Sequence, residues 1–119
     1  MKKLITILED DRDIREICTY LLTDEGYGVS SYEDLTSLLK AYPTSPTNLF
    51  LLDIQLPDGN GLELCETLKA DPYYNTIPIL MMSANIESAT AVQRSHADGF
   101  IQKPFDINRL LDKVATLIH

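Results

Sequence analysis

The residues of this 119-residue chain that could do chemistry recur in one kind of place, directly after an apolar run. Glu9 and Asp10 follow Leu4-Ile-Thr-Ile-Leu8, Asp53 follows Leu49-Phe-Leu-Leu52, Ser83 follows Ile77-Pro-Ile-Leu-Met-Met82, and Lys103 follows Gly99-Phe-Ile-Gln102. Carboxylates pressed together repel, which raises the pKa of at least one or demands a cation. Asp10 and Asp53 with a nearby backbone carbonyl would form a hard oxygen site, better suited to Mg2+ with several retained waters than to a caged Ca2+. No EF-hand ligand spacing is present. The Lys103 ammonium and the Ser83 hydroxyl offer a point charge and a donor to an anion. A cation, anion-binding groups and one central carboxylate are the parts of phosphoryl transfer to Asp53, where positioning and charge neutralisation supply most of the catalysis.

That chemistry requires the runs to end side by side. Leu49 to Leu52 is uninterrupted and is followed by Pro57-Asp-Gly-Asn-Gly61, the habit of a strand buried on both faces of a parallel sheet. Lys2 to Leu8, Tyr27 to Tyr32, Ile77 to Met82 and Gly99 to Gln102 read as the other strands, with Pro78 confined to a strand beginning. Helical spacing lies between them: Ile14, Ile17, Cys18, Leu21 and Leu22 from Asp11 to a stop at Gly26, then Leu35, Leu38 and Leu39 within Glu33 to Tyr42. Pro43 to Thr47 breaks that second helix as a loop. Leu62, Cys65 and Leu68 mark a third helix closing near Asp71-Pro72, and Ala89, Val92 and His96 a fourth over Glu87 to Ser95. The clearest stripe, Ile107, Leu110, Leu111, Val114, Leu117 and Ile118, follows Asp106. Asp11 falls where a helix N-cap belongs.

Strand and helix alternating five times imply one α/β domain over residues 1–119. The expected architecture is a doubly wound (βα)5 flavodoxin-like parallel sheet in the order 2-1-3-4-5, with the first and third strands adjacent at the switch point. Ligands bind beyond the carboxyl ends of the strands there, so the polar residues converge on one edge.

Composition narrows the function classes. Ten basic against eighteen acidic residues leave a net charge of −8, which argues against direct nucleic-acid binding, a function that needs a basic footprint. The longest apolar runs are too short to span a bilayer, and Met1 to Glu9 turns acidic too early for a signal peptide, so a cytoplasmic location away from membranes is expected. Cys18 and Cys65 share no ligand spacing with His96 or His119, and each lies on an apolar helical stripe, which makes them core thiols rather than zinc ligands.

Taken in order, Ile7-Leu-Glu-Asp-Asp11, Leu52-Asp-Ile-Gln-Leu-Pro57 with Gly61, Met82-Ser-Ala84 and Lys103-Pro-Phe105 resemble the receiver domain of two-component response regulators, and the resemblance covers the whole chain. Each motif alone is weak; their order and spacing together are specific. The resemblance implies a phosphorylation-dependent signalling switch. Asp53 would accept a phosphoryl group from a sensor histidine kinase, a phosphotransfer protein or a small phosphodonor, with Mg2+ held by Glu9, Asp10, Asp53 and the backbone carbonyl of Gln55. Ser83 would hold a phosphoryl oxygen and act in the switch with the aromatic Phe100, and Lys103 would bridge to the acyl phosphate. Gln55 and Asn85 would flank the path of the hydrolytic water. The Lys103-Pro104 bond would be cis, which proline permits at modest cost. Such a domain is no enzyme acting on other molecules, although it assists its own phosphorylation and slow autodephosphorylation. Its output would pass to a downstream protein through the fourth helix, fifth strand and last helix, with the exposed residues of Glu87 to Ser95, Arg109 and Lys113 as contacts.

Two departures from the family pattern carry expectations. Glycine is usual where His96 stands, so the helix ending there should close differently or place an imidazole on the surface. An acidic residue is common at Gly99 in the receivers of DNA-binding regulators, where it joins a dimer salt bridge; its absence implies a monomer or weak dimer. Singly, Asp53 reads as a solvated strand end, Glu9-Asp10-Asp11 as charge at a helix start, Ser83 as a cap and Phe100 as core, and only the coincidence of Glu9, Asp10, Asp53, Ser83 and Lys103 at four strand ends favours function. A flavin-binding flavodoxin would share the topology, but Glu9-Asp10-Asp11 would repel its phosphate. An aspartate-based phosphohydrolase carries a second Asp where Gln55 stands. A pseudo-receiver, acting only as a protein-interaction module, usually loses an acid or the lysine, and this chain keeps both. With no effector domain after Leu117-Ile-His119, the chain reads as a stand-alone receiver or an excised piece of a longer regulator.

Overall fold

The computed structural model describes residues 2–42, 46–85 and 87–118. Five parallel strands, β1 (Leu4–Leu8), β2 (Gly28–Tyr32), β3 (Leu49–Asp53), β4 (Ile79–Ser83) and β5 (Gly99–Gln102), form one sheet in the order β2-β1-β3-β4-β5. Helices α1 (Arg12–Asp24), α2 (Leu35–Ala41), α3 (Gly61–Ala70) and α4 (Ser88–Arg94) connect them, and α5 (Ile107–Leu117) follows β5. The doubly wound α/β architecture and its strand order are as the alternation of elements implies. One small addition is a hairpin of Gln55–Leu56 against Gly59–Asn60, which the sequence shows only as a turn between β3 and α3.

Every residue of β3 is buried because the strand faces apolar layers on both sides. Leu49 and Leu51 pack with Cys18 and Leu22 of α1 and with Leu110 and Val114 of α5. Phe50 and Leu52, pointing the other way by the two-residue period of a strand, pack with Leu38 of α2, Leu64, Cys65 and Leu68 of α3, and Val92 of α4. An unbroken apolar run is therefore what this position requires. Both cysteines are buried free thiols within these layers. Short polar side chains fix the helix starts: Asp11, Asp34, Asn60 and Asp106 accept from the backbone N–H of Ser37, Leu62, Asn108 and, for Asp11, Ile14, at 2.7 to 3.1 Å.

Three stripe residues do not enter the core. Ile17, Leu39 and Ile107 stay 54%, 57% and 51% exposed, because each lies on the flank of its helix while the arc that touches the sheet is narrower than the sequence period suggests. His96 is exposed and lies beyond α4 rather than on its apolar side. Its φ of 66° is the left-handed conformation that glycine adopts freely, so the helix closes in the glycine manner with the imidazole on the surface. Of the loop read at Pro43 to Thr47, residues 43–45 lie outside the described residues, as does His119. Among the described residues no helix is long and apolar enough to cross a membrane.

Candidate functional site

The carboxyl ends of β1 and β3 are neighbours because Leu8 pairs with Leu52, which brings Glu9, Asp10 and Asp53 to the same edge. One carboxylate oxygen from each lies within 4.8 Å of the others. Glu9 and Asp53 are buried, whereas Asp10 is exposed to solvent. Lys103, one residue past β5, reaches back across the edge: its ammonium lies 3.3 Å from Asp53 Oδ2 and is paired with Glu9 Oε1. The Lys103 N–H donates to the Ser83 carbonyl at 2.8 Å, which registers the end of β5 on the end of β4, and the Lys103-Pro104 bond is cis, as the resemblance implies.

Three carboxylates face one ammonium, so negative charge is in excess. Burial, with the adjacent Asp53 adding to it, pushes the Glu9 carboxyl up to about 7 against the pull of Lys103. Burial alone would lower the Lys103 ammonium, but pairing with Glu9 and Asp53 outweighs it and holds the ammonium above its ordinary value. A group of this composition takes up a proton or a further cation. Only carboxylate oxygens make up the cluster, with no imidazole or thiolate among them, and that donor set fits a hard divalent ion. Glu9 already uses both oxygens on protein partners, Oε1 on Lys103 and Oε2 on the Asp11 N–H at 3.2 Å. Asp10 is the side chain of the three that is open to a cation arriving from solvent.

Ser83 ends β4 one residue beyond Met82, the cross-strand partner of Asp53. Its hydroxyl accepts from the Asn85 N–H at 3.0 Å and lies 3.4 Å from the Ser88 hydroxyl, so it also organises the start of α4. Gln55 and Asn85 are exposed on the loops after β3 and β4. Phe100 lies on β5 opposite Met81 and packs, partly buried, on the α2–α3–α4 side of the core. The structure thus brings Glu9, Asp10, Asp53 and Lys103 together by direct proximity, with Ser83 at the end of the strand next to Asp53 and Gln55 and Asn85 on the loops that follow these two strands.

Of two supporting residues, Arg15 escapes a reading of motifs, and Gly61 appears in one without its structural reason. Arg15, one turn into α1, donates to the Glu9 carbonyl at 2.9 Å and to the Asp10 carbonyl at 3.4 Å, tying down the backbone that carries both acids. Gly61 is buried, and a Cβ there would stand 2.1 Å from the Asp53 carbonyl oxygen, while its N–H donates to the Ile54 carbonyl at 2.8 Å. Nothing but glycine lets the start of α3 come so close to the strand end. Gly61→Ala should therefore cost about 1–3 kcal/mol of stability by overpacking against backbone that cannot yield. Urea unfolding of the variant checks this, and an unchanged midpoint would show that the loop has room to relax.

The family model for the response regulator receiver domain matches residues 5–115. The DNA-binding response regulator MtrA of Mycolicibacterium paratuberculosis is 34% identical over 116 residues, which cover 96% of this chain and 50% of that protein. The phosphate regulon transcriptional regulatory protein PhoB of Klebsiella pneumoniae is 30% identical over 120 residues, 99% of this chain and 52% of that protein. The chain therefore spans about half the length of these curated relatives. Among solved structures, the chemotaxis response regulator CheY4 of Vibrio cholerae superposes with a TM-score of 0.92 at 22% identity, covering 99% of this chain and 100% of that one, a likeness of fold. The response regulator TrrA of Thermotoga maritima, solved in complex with Mg2+ and BeF, gives a TM-score of 0.88 at 27% identity, covering 98% of this chain and 99% of that one.

Proposed function

This chain belongs to the response regulator receiver domain family, and from that premise we propose that it is a signalling switch whose Asp53 accepts a phosphoryl group from a phosphohistidine of a sensor kinase, from a phosphotransfer protein, or from a small phosphodonor. The observation that carries the proposal is the buried Asp53 carboxylate set between an acidic cluster and the Lys103 ammonium at 3.3 Å. An Asp53 oxygen attacks phosphorus, the P–N bond of phosphohistidine or the P–O bond of acetyl phosphate breaks, and imidazole or acetate leaves with the electron pair. The product is an acyl phosphate. Water later attacks the same phosphorus, releasing inorganic phosphate and restoring the carboxylate, so the domain assists both its own phosphorylation and its slow dephosphorylation.

Each residue has a part in this reading. Asp10 and Asp53, supported by Glu9 and the Gln55 carbonyl, would hold Mg2+, which when bound neutralises charge on the transferring phosphoryl oxygens. Lys103 pairs with Asp53 before transfer and supplies positive charge to the phosphate afterwards. Ser83 offers its hydroxyl to a second phosphoryl oxygen, giving up its contact with Asn85 as it does so. Gln55 and Asn85 are neutral amides that can orient a water without acting as strong bases, which suits slow hydrolysis. Movement of Ser83 would draw the start of α4 with it and open space into which Phe100 can turn, altering the α4-β5-α5 face to which a downstream protein binds.

The test is intact-mass spectrometry with acetyl phosphate. One phosphate should be added in Mg2+, none in excess EDTA, and borohydride trapping should place it on a peptide containing Asp53. Equal modification in EDTA, or a label on any other peptide, refutes the assignment. The output route has its own check in amide NMR with beryllofluoride: shifts should extend through residues 87 to 113, and shifts confined to the loops around Asp53 would exclude this face.

A further inference from the structure

The hairpin after Asp53 is tied to a helix that the proposed reaction does not use. Asp58, at its tip, directs its carboxylate at the first turn of α2: Oδ1 accepts from the Leu35 N–H at 3.0 Å, and Oδ2 accepts from the Thr36 N–H at 3.0 Å and the Thr36 hydroxyl at 2.7 Å. These three bonds hold the carboxyl below its ordinary value. The tether is reinforced by packing, since a Cβ on Gly59 would meet Leu35 Cδ1 at 2.3 Å. At its other end the hairpin is held by Asn60, which caps α3, and by the Gly61 N–H on the Ile54 carbonyl. Gln55 pairs with Asn60 across this hairpin, so its backbone is fixed at the tip by α2 and at the base by α3. Helix α2 also has a cap from its own chain, Asp34, which accepts from the Ser37 N–H at 2.8 Å, so Asp58 adds a bond between hairpin and helix to a start that is already capped.

We propose that Asp58 is a positioning residue for the phosphoacceptor site: by clamping the hairpin to α2 it holds the Gln55 carbonyl where the cation is bound. The inference rests on the function proposed above and adds a residue that acts through Gln55 rather than on the phosphate. Groups that orient a metal ligand without touching the metal commonly change affinity by about 10–100-fold when removed. Loss of the clamp should therefore weaken Mg2+ binding and leave the other ligands in place.

Asp58→Ala and Asp34→Ala form the deciding pair, since both remove a cap from α2 and only the first cuts the tether. In the metal-free protein, hydrogen exchange across 55–61 should quicken about tenfold or more in Asp58→Ala and stay within about twofold of the wild type in Asp34→Ala. Calorimetric titration with Mg2+ should show Kd raised about tenfold in Asp58→Ala and nearly unchanged in Asp34→Ala. Phosphorylation by acetyl phosphate should fall in proportion at low Mg2+ and recover at saturating Mg2+. Thr36→Val, which removes one of the three bonds and no charge, should shift both readouts in the same direction by less, and it serves if Asp58→Ala does not fold. Equal effects in the two Asp variants, or none in either, would overturn the proposal by reducing Asp58 to a helix cap. A wild type that binds no Mg2+ would remove the function proposed above and this inference together, whereas a wild type that binds it alongside an unaltered Asp58→Ala removes the inference alone.

Discussion

Asp53→Asn should abolish phosphate uptake from acetyl phosphate completely while leaving the fold intact. Asparagine keeps the shape of the side chain and an oxygen that can accept from Lys103, but a neutral amide oxygen is too poor a nucleophile to form the acyl phosphate. The substitution also removes one of three crowded carboxylates. Glu9, which its neighbour helps to push up to about 7, would then lose that repulsion and become the charged partner of Lys103 while residue 53 stays a neutral one. The metal-free variant should accordingly melt no lower than the wild type, and its stabilisation by millimolar Mg2+ should shrink because a ligand is gone. Mass spectra with and without phosphodonor, beside melting curves with and without Mg2+, test both halves. Phosphate added to the variant at the wild-type level would eliminate Asp53 as the acceptor.

The second large effect is expected at Lys103. Its side chain is 12% exposed, between a Glu9 side chain that is fully buried and an Asp53 side chain that is 7% exposed. Lys103→Met keeps much of the stem volume and deletes the ammonium that pairs with both acids. Breaking a buried ion pair from one side costs about 3–5 kcal/mol, because the remaining charges keep their desolvation cost without a partner. Urea unfolding at pH 8 should show a loss of that order. The deficit has a definite pH dependence. A carboxyl whose folded pKa is raised above its unfolded value favours the folded state at low pH and loses that contribution as pH rises through the folded pKa. Glu9 is already raised to about 7, and deletion of Lys103 raises it further, so the deficit should narrow as the pH falls from 8 toward 5.5. Mg2+ should restore part of the lost stability at pH 8. An equal deficit at both pH values would mean that the cost comes from packing rather than charge.

Much of this site is legible in the chain because β3 must be apolar on both faces, so the acid that interrupts it at Asp53 stands out, and the same holds for Glu9, Ser83 and Lys103 at the other strand ends. Strand order follows from the alternation of elements and places those ends together. The supports are less visible. Arg15 acts on backbone carbonyls, a role that leaves no spacing in the sequence. Asp58 sits within a Pro-Asp-Gly turn where an acid is unremarkable, and its partners Leu35 and Thr36 lie more than twenty residues away. Ile17, Leu39 and Ile107 match the helical period yet remain exposed, because a period fixes direction around the helix axis but not the width of the surface that covers it.

The pairing of Lys103 with Glu9 joins residues 94 positions apart, nearly the two ends of the chain. During synthesis all three acids emerge before residue 54, whereas the ammonium that offsets them arrives only with the last strand. Between residue 53 and residue 103 a nascent chain thus carries the carboxylates without the charge that offsets them. If Asp53 is the phosphoacceptor proposed above, competence to take phosphate is a property of the completed sheet, and a copy interrupted before β5 would stay silent rather than be falsely switched on.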